Sequence, residues 1–161
     1  MDRNGKITSA ALLSAIRNRR GHRPPESNRP GDTVIASYNV HKCIGVDRRF
    51  DPERTASVIA EIDADIIAVQ EADKRFGERS GLLNLEMLER DCGLVPVPIT
   101  ALSSTGHGWH GNMIMMRKGA VGAVRQLKLP GIEPRGALVV TLDLPVGRLR
   151  LVAAHFGLLK R

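Results

Sequence analysis

From Asp32 onward the apolar positions fall into short β-branched runs alternating with helical stripes. Asp32-Thr33-Val34-Ile35-Ala36-Ser37-Tyr38 runs into Asn39, and Asp65-Ile66-Ile67-Ala68-Val69-Gln70 runs into Glu71. Both predict buried strands, short and bounded by polar residues. Between them Asp51-Pro52-Glu53 reads as a helix start: an N-cap, a proline at the first helical position, then an acid in the first turn. Val58, Ile59 and Ile62 give that helix a buried stripe. A strand, helix, strand order predicts parallel pairing, with both carboxyl ends on one edge of the sheet. Open α/β sheets place their ligands at that edge.

Further on, Leu82, Leu85 and Leu88 mark a second helix, with Gly93 as its C-cap. Residues 94–99 predict a short edge strand, because Pro96 and Pro98 cannot donate to a ladder. A loop follows over 103–111, with His107 and His110 read as loop residues. Strands are then expected over 112–117, 121–129, 137–144 and 148–156. The last two form a hairpin across Pro145-Val146-Gly147. His155 shares a face of the final strand with Leu149, Leu151 and Ala153.

The first thirty residues differ from the rest. Residues 7–20 predict a short helix with Leu12, Leu13 and Ile16 on one side, and 21–31 read as a Pro/Gly linker. The chain carries +7, but residues 1–30 hold seven Lys or Arg and two Asp or Glu, leaving only +2 for the other 131 residues. The basic character therefore belongs to an N-terminal arm over 1–31, read as loosely docked. A folded body over 32–161 follows it. The arm lacks the apolar core and small-residue cleavage site of a secretory signal.

Composition narrows the classes. With 42% hydrophobic and 25% charged residues the chain reads as an ordinary globular domain. Aromatics are 3%, so stacking platforms for nucleic-acid bases are scarce. No apolar stretch is long enough to span a bilayer. Cys43 and Cys92 lie far apart and outside any CxxC pattern, which fits a reducing, cytoplasmic setting.

The chemistry gathers at the strand ends. A buried strand rarely ends in a carboxylate without a partner, since a lone buried charge is costly. A divalent cation would be such a partner for Glu71. Each residue also has an ordinary reading. Asn39 fits a turn-closing residue, Glu71 fits an ion pair, and His155 fits a hydrogen-bonded core histidine. Lys42, Arg48 and Arg49 fit a solvated loop, and Cys43 has no base that sequence assigns to it.

Several segments together resemble the endonuclease/exonuclease/phosphatase superfamily of metal-dependent phosphoesterases. They are Tyr38-Asn39-Val40-His41-Lys42, the run Ala64-Asp65-Ile66-Ile67-Ala68-Val69-Gln70-Glu71-Ala72-Asp73, Gly111-Asn112, Arg135-Gly136-Ala137-Leu138 and Ala153-Ala154-His155-Phe156-Gly157-Leu158. The resemblance implies a four-layer α/β sandwich with mixed sheet, of which 32–161 would be the N-terminal half. It implies that Glu71 binds the catalytic Mg²⁺ or Mn²⁺ with Asn39 in support. It places His155 and Arg135 near the scissile phosphate and Asn112 at the site edge.

The chain departs from that pattern at three places. Ala154 and Phe156 flank the histidine where a hydroxyl residue and leucine are usual. His110 precedes Gly-Asn where an aromatic is common. No Gly-Asp-x-Asn segment follows His155, and no late Asp-His pair is present. The implied activity is hydrolysis of a phosphate ester, weak or absent in this chain alone. The substrate would be a nucleic acid, a phospholipid headgroup or a small phosphate, and exposed sheet surface would favour self-association. The alternative is a non-catalytic phosphate- or nucleic-acid-binding half-domain that uses the basic arm.

Overall fold

The computed structural model describes residues 32–74, 77–117 and 119–157. The helix expected over 7–20 and the linker after it lie outside these residues. Strand β1 (Ile35–Asn39) is followed by a turn at His41–Cys43, helix α1 (Pro52–Ile62) and strand β2 (Ile66–Gln70). Then come helix α2 (Leu85–Cys92), strand β3 (Val95–Pro96), β4 (Met113–Met116), β5 (Ala120–Leu129), β6 (Arg135–Leu144) and β7 (Gly147–Ala154).

Local chemistry sets the helix ends. The Asp51 carboxylate accepts from the Arg54 N–H at 2.8 Å, and Pro52 opens α1. Asn84 caps α2 by accepting from the Met87 N–H, and Gly93 closes it in the left-handed conformation at φ 65°. Leu82 precedes α2 rather than sitting in it, because the cap falls at Asn84.

The strands form two sheets, one mixed in the order β1-β2-β4-β3 and one antiparallel in the order β5-β6-β7. β1 and β2 are parallel, with Asn39 opposite Gln70. β4 runs antiparallel to β2, and β3 is an edge strand, as its prolines require.

Successive residues of β2 and β4 point to opposite faces, and both faces are covered. Ile67, Val69, Met113 and Met115 pack toward Ile59 and Leu88 of the helices. Ile66, Ala68, Ile114 and Met116 pack toward Leu138, Val140, Leu142 and Ala153 of the antiparallel sheet. The layers are thus helices, mixed sheet, antiparallel sheet, in keeping with an α/β sandwich.

β1 differs from the expectation of a buried strand. Ile35 is 46% exposed, and Ser37 is also exposed. The second sheet packs over β2 and β4, and nothing from it covers this face of β1 among the described residues. Only the face bearing Val34, Ala36 and Tyr38 meets the helical layer. On the outer side of the antiparallel sheet, Leu127 and Val152 are exposed beside Arg125 and Arg150. Among the described residues no helix is long and apolar enough to cross a membrane.

Candidate active site

Parallel pairing of β1 with β2 brings Asn39 and Glu71 to the same sheet edge. Each is followed or occupied by a left-handed backbone. Glu71 has φ 60°, and His41, Lys42 and Cys43 have φ 48°, 55° and 58°. Such angles cost non-glycine residues roughly 1–2 kcal/mol each. They lie where the chain leaves the ends of β1 and β2, and of these residues Glu71 and Lys42 line a cleft, while Asn39 lies off its lining. Asn39 closes the first turn, its Oδ1 accepting from the His41 N–H at 3.0 Å. One lone pair on that oxygen remains for another donor or a cation.

The cleft is lined by Lys42, Glu71, Asp73, Lys74, Arg79, Leu102, His110, Gly111, Pro134 and Arg135. Lys42 Nζ lies 3.9 Å from Glu71 Oε2, and His155 Nδ1 lies 4.0 Å from Glu71 Oε1. Arg135 reaches the same place from the start of β6. Its Nη1 is 3.0 Å from His155 Nδ1, while Nε and Nη2 donate to Glu133 Oε2 at 3.0 and 2.8 Å.

An arginine has no acceptor, so a hydrogen bond here requires Nδ1 of His155 to accept from Arg135, which is the tautomer with the ring proton on Nε2. A His155–Glu71 ion pair would need a protonated ring, whose Nδ1–H would oppose the Arg135 donor. The shorter Arg135 contact therefore describes this site better. Lys42 lies 93 and 113 residues before Arg135 and His155, so the fold brings together residues far apart in the chain.

Asn112 is placed differently. It is fully buried, and its amide nitrogen donates to the carbonyls of Trp109 and Gly136 at 3.2 and 3.0 Å. It lies off the cleft lining and ties the 109–112 turn to the strand that carries Arg135. Gly111, at φ 79°, passes against the Glu71 backbone, and its carbonyl accepts from the Ala72 N–H at 3.0 Å. A side chain there would be strained by the backbone angle alone. Gly136 leaves room for Trp109, whose ring a Cβ would meet at 2.7 Å.

Three parts of this cleft were not expected from the sequence. His110, read as a loop residue, lines it with Nδ1 3.1 Å from the Pro134 carbonyl and its ring edge-on to Trp109. Asp73 is buried and accepts from the His107 and Gly108 N–H groups at 2.8 and 2.9 Å, which pins the 103–111 loop beside Glu71. Lys42, read as solvated, keeps an exposed side chain but stands 3.9 Å from Glu71. The sequence signal for these was slight, since each contact joins separate segments.

Burial pushes the pKa values of both His107 and His110 below the ordinary 6.5. The unfolded chain therefore takes up protons at these rings before the folded chain does. Stability is expected to fall as pH drops below about 6.5, and to level off once the folded rings also protonate. Urea unfolding between pH 8 and 5 checks this. The slope should flatten in a His107→Gln/His110→Gln variant, and an unchanged slope would assign it to other groups.

Glu71 and Asn39 supply a carboxylate and an amide oxygen, the hard donors that Mg²⁺ or Mn²⁺ takes while keeping several waters. Glu71 is 20% exposed on its side chain, so one face stays open to such an ion. Among the described residues no group of three or more His, Cys, Asp or Glu forms a closed cage. One carboxylate and one amide oxygen would leave most positions of such a cation to water.

The sequence profile of the Endonuclease/Exonuclease/phosphatase family matches residues 36–154. No curated protein matches the chain. Among solved structures, an endonuclease/exonuclease/phosphatase from Beutenbergia cavernae DSM 12333 is similar over 76% of this chain and 38% of its own, at 20% identity and TM-score 0.53. A humanized D. rerio TDP2 carrying 14 mutations is similar over 78% of this chain and 47% of its own, at 17% identity and TM-score 0.54. At these identities the likeness is one of fold, and the chain spans less than half the length of either structure. The profile covers most of the chain, including Asn39, Glu71, Asn112 and Arg135, and its last matched residue adjoins His155. The chain belongs to the endonuclease/exonuclease/phosphatase family.

Proposed function

We propose that the cleft binds and hydrolyses a phosphate ester with the help of Mg²⁺ or Mn²⁺ held by Glu71 and Asn39. The observation that carries this reading is the approach of Lys42 and His155 to Glu71, with Arg135 bonded to His155. The family consists generally of divalent-metal-dependent hydrolases, of nuclease and phosphatase type. A bound divalent ion would add a concentrated positive charge and polarise a phosphoryl oxygen.

The chain's own residues do the rest. Arg135 positions His155, whose Nε2–H would donate to a non-bridging phosphate oxygen. That donation strengthens as negative charge builds in the pentavalent state. Glu133 in turn fixes the Arg135 guanidinium through two N–H bonds to one oxygen. Arg135 is thus both a positioning residue for His155 and a source of positive charge. Lys42 balances Glu71 before substrate arrives and can turn to the phosphate afterwards. Asn112 acts at a distance, holding the 109–112 turn and the start of β6 in place.

The test uses the 161-residue chain and Glu71→Ala. Mn²⁺ binding, read by electron paramagnetic resonance, is expected in the first and lost in the second. Slow hydrolysis of bis(p-nitrophenyl) phosphate should follow the same pattern. Binding and turnover that survive Glu71→Ala would overturn the assignment.

A further inference from the structure

The cleft carries more positive charge than one scissile phosphate requires. Lys42 and Arg135 stand beside Glu71, but Lys74 and Arg79 line the same cleft from a separate loop. That loop is closed at its base. The Leu82 N–H donates to the Ala72 carbonyl at 2.9 Å, Asp73 bridges Gly81, and the Lys74 N–H donates to the Ser80 carbonyl at 2.9 Å. It is also fastened to the neighbouring loop. The Gly81 N–H donates to the Thr105 carbonyl, and Ser103 Oγ donates to the Arg79 carbonyl. Lys74 and Arg79 therefore project from adjoining arms of a braced hairpin-like loop, not from a loose tail.

The opposing charges nearby are already engaged. Asp73 is buried on two backbone N–H groups, and Glu71 faces Lys42 and His155. Neither Lys74 nor Arg79 makes an ion pair with another described residue. Arg79 is close enough for its charge to help hold the His110 ring neutral. Other features of the lining argue against recognition of a base or an acyl chain. Its apolar side chains are Leu102 and Pro134, and the Trp109 indole N–H is spent on the Leu127 carbonyl at 2.9 Å.

We propose that Lys74 and Arg79 form a second anion subsite, so that the substrate is a phosphate ester carrying a second phosphate next to the scissile one. This rests on the reading of Glu71, His155 and Arg135 as the reaction centre. The scissile group sits at that centre, and the second phosphate accepts charge-assisted hydrogen bonds from Lys74 and Arg79. Arg79 suits a bidentate contact, and Lys74 supplies a mobile point charge.

Trp109 is the single tryptophan and touches His110, so its fluorescence reports on the cleft. Binding is measured without divalent ions, on two ligand pairs that differ by one phosphate. The nucleotide pair is thymidylyl-thymidine and its 5′-phosphorylated form. The sugar pair is glucose 1-phosphate and glucose 1,6-bisphosphate. In at least one pair the second phosphate should tighten binding about tenfold. Lys74→Ala/Arg79→Ala should erase that gain and leave the one-phosphate ligand nearly unchanged.

An Arg125→Ala/Arg150→Ala variant removes the same charge from the outer face of the antiparallel sheet and should keep the gain. A gain in the nucleotide pair alone names a nucleic-acid strand as the source, and a gain in the sugar pair names a small bisphosphate. Absence of any gain, its persistence in Lys74→Ala/Arg79→Ala, or equal loss in the outer-face variant would overturn the subsite. These ratios are read without metal or turnover, so they fail separately from the Glu71-dependent hydrolysis.

Discussion

The 161-residue chain alone is expected to hydrolyse bis(p-nitrophenyl) phosphate far more slowly than a version extended through a Gly-Asp-x-Asn segment and an Asp-His pair. On the proposed reading Glu71 and Asn39 would hold a cation, and His155 and Arg135 would contact a phosphate. The proposed roles of these four residues include no general base. Lys42 is a cation, and it stands 3.9 Å from the Glu71 carboxylate. General-base catalysis is typically worth about 10²–10⁴-fold, and loss of water positioning adds to that. The comparison is made with Mn²⁺ in both chains and in Glu71→Ala of each. Turnover by the 161 residues that equals the extended chain and vanishes in Glu71→Ala would refute the prediction. The base would then come from residues within this chain, or from a second copy of it.

Asp73→Ala is expected to cost about 2–5 kcal/mol of stability and to open the cleft. The carboxylate is buried, and it is the acceptor for the N–H groups of both His107 and Gly108. Its removal strands one buried and one part-buried donor and frees the loop that carries Trp109 and His110. Asp73→Asn should recover part of the loss, since one amide oxygen still accepts while its NH₂ opposes the second donor. Urea unfolding gives the free energies, and Trp109 fluorescence follows the loop. A loss under about 1 kcal/mol in Asp73→Ala would mean that water or a backbone shift replaces the carboxylate.

The order of elements was legible in the sequence because it rests on local chemistry. Asp51-Pro52 and Asn84 are helix starts wherever they fold, Gly93 ends a helix because its φ is positive, and Pro96 keeps β3 at an edge. The parallel pairing of β1 with β2 followed from a helix lying between two strands. With it came the shared edge for Asn39 and Glu71. His155 was read as part of the final strand, which instead ends at Ala154, one residue before it. The family resemblance added what roles such residues take, and those roles are proposals here.

Tertiary structure decided the rest. Whether a strand is covered depends on how far a second sheet extends, which is why Ile35 is exposed while Ile66 is fully buried. The turn of Lys42 toward Glu71 depends on three successive left-handed residues, none of them glycine. Single-residue preferences cannot predict that, because each residue opposes it and only the surrounding fold enforces it. The pairing of Arg135 with His155, and of Asp73 with the 107–108 backbone, joins residues 20 and 34 or more positions apart. Sequence by itself determined which residue types stand at the strand ends. The packing of two sheets decided which loops close over them, because loop positions follow from long-range contacts and not from the residues' own conformational preferences.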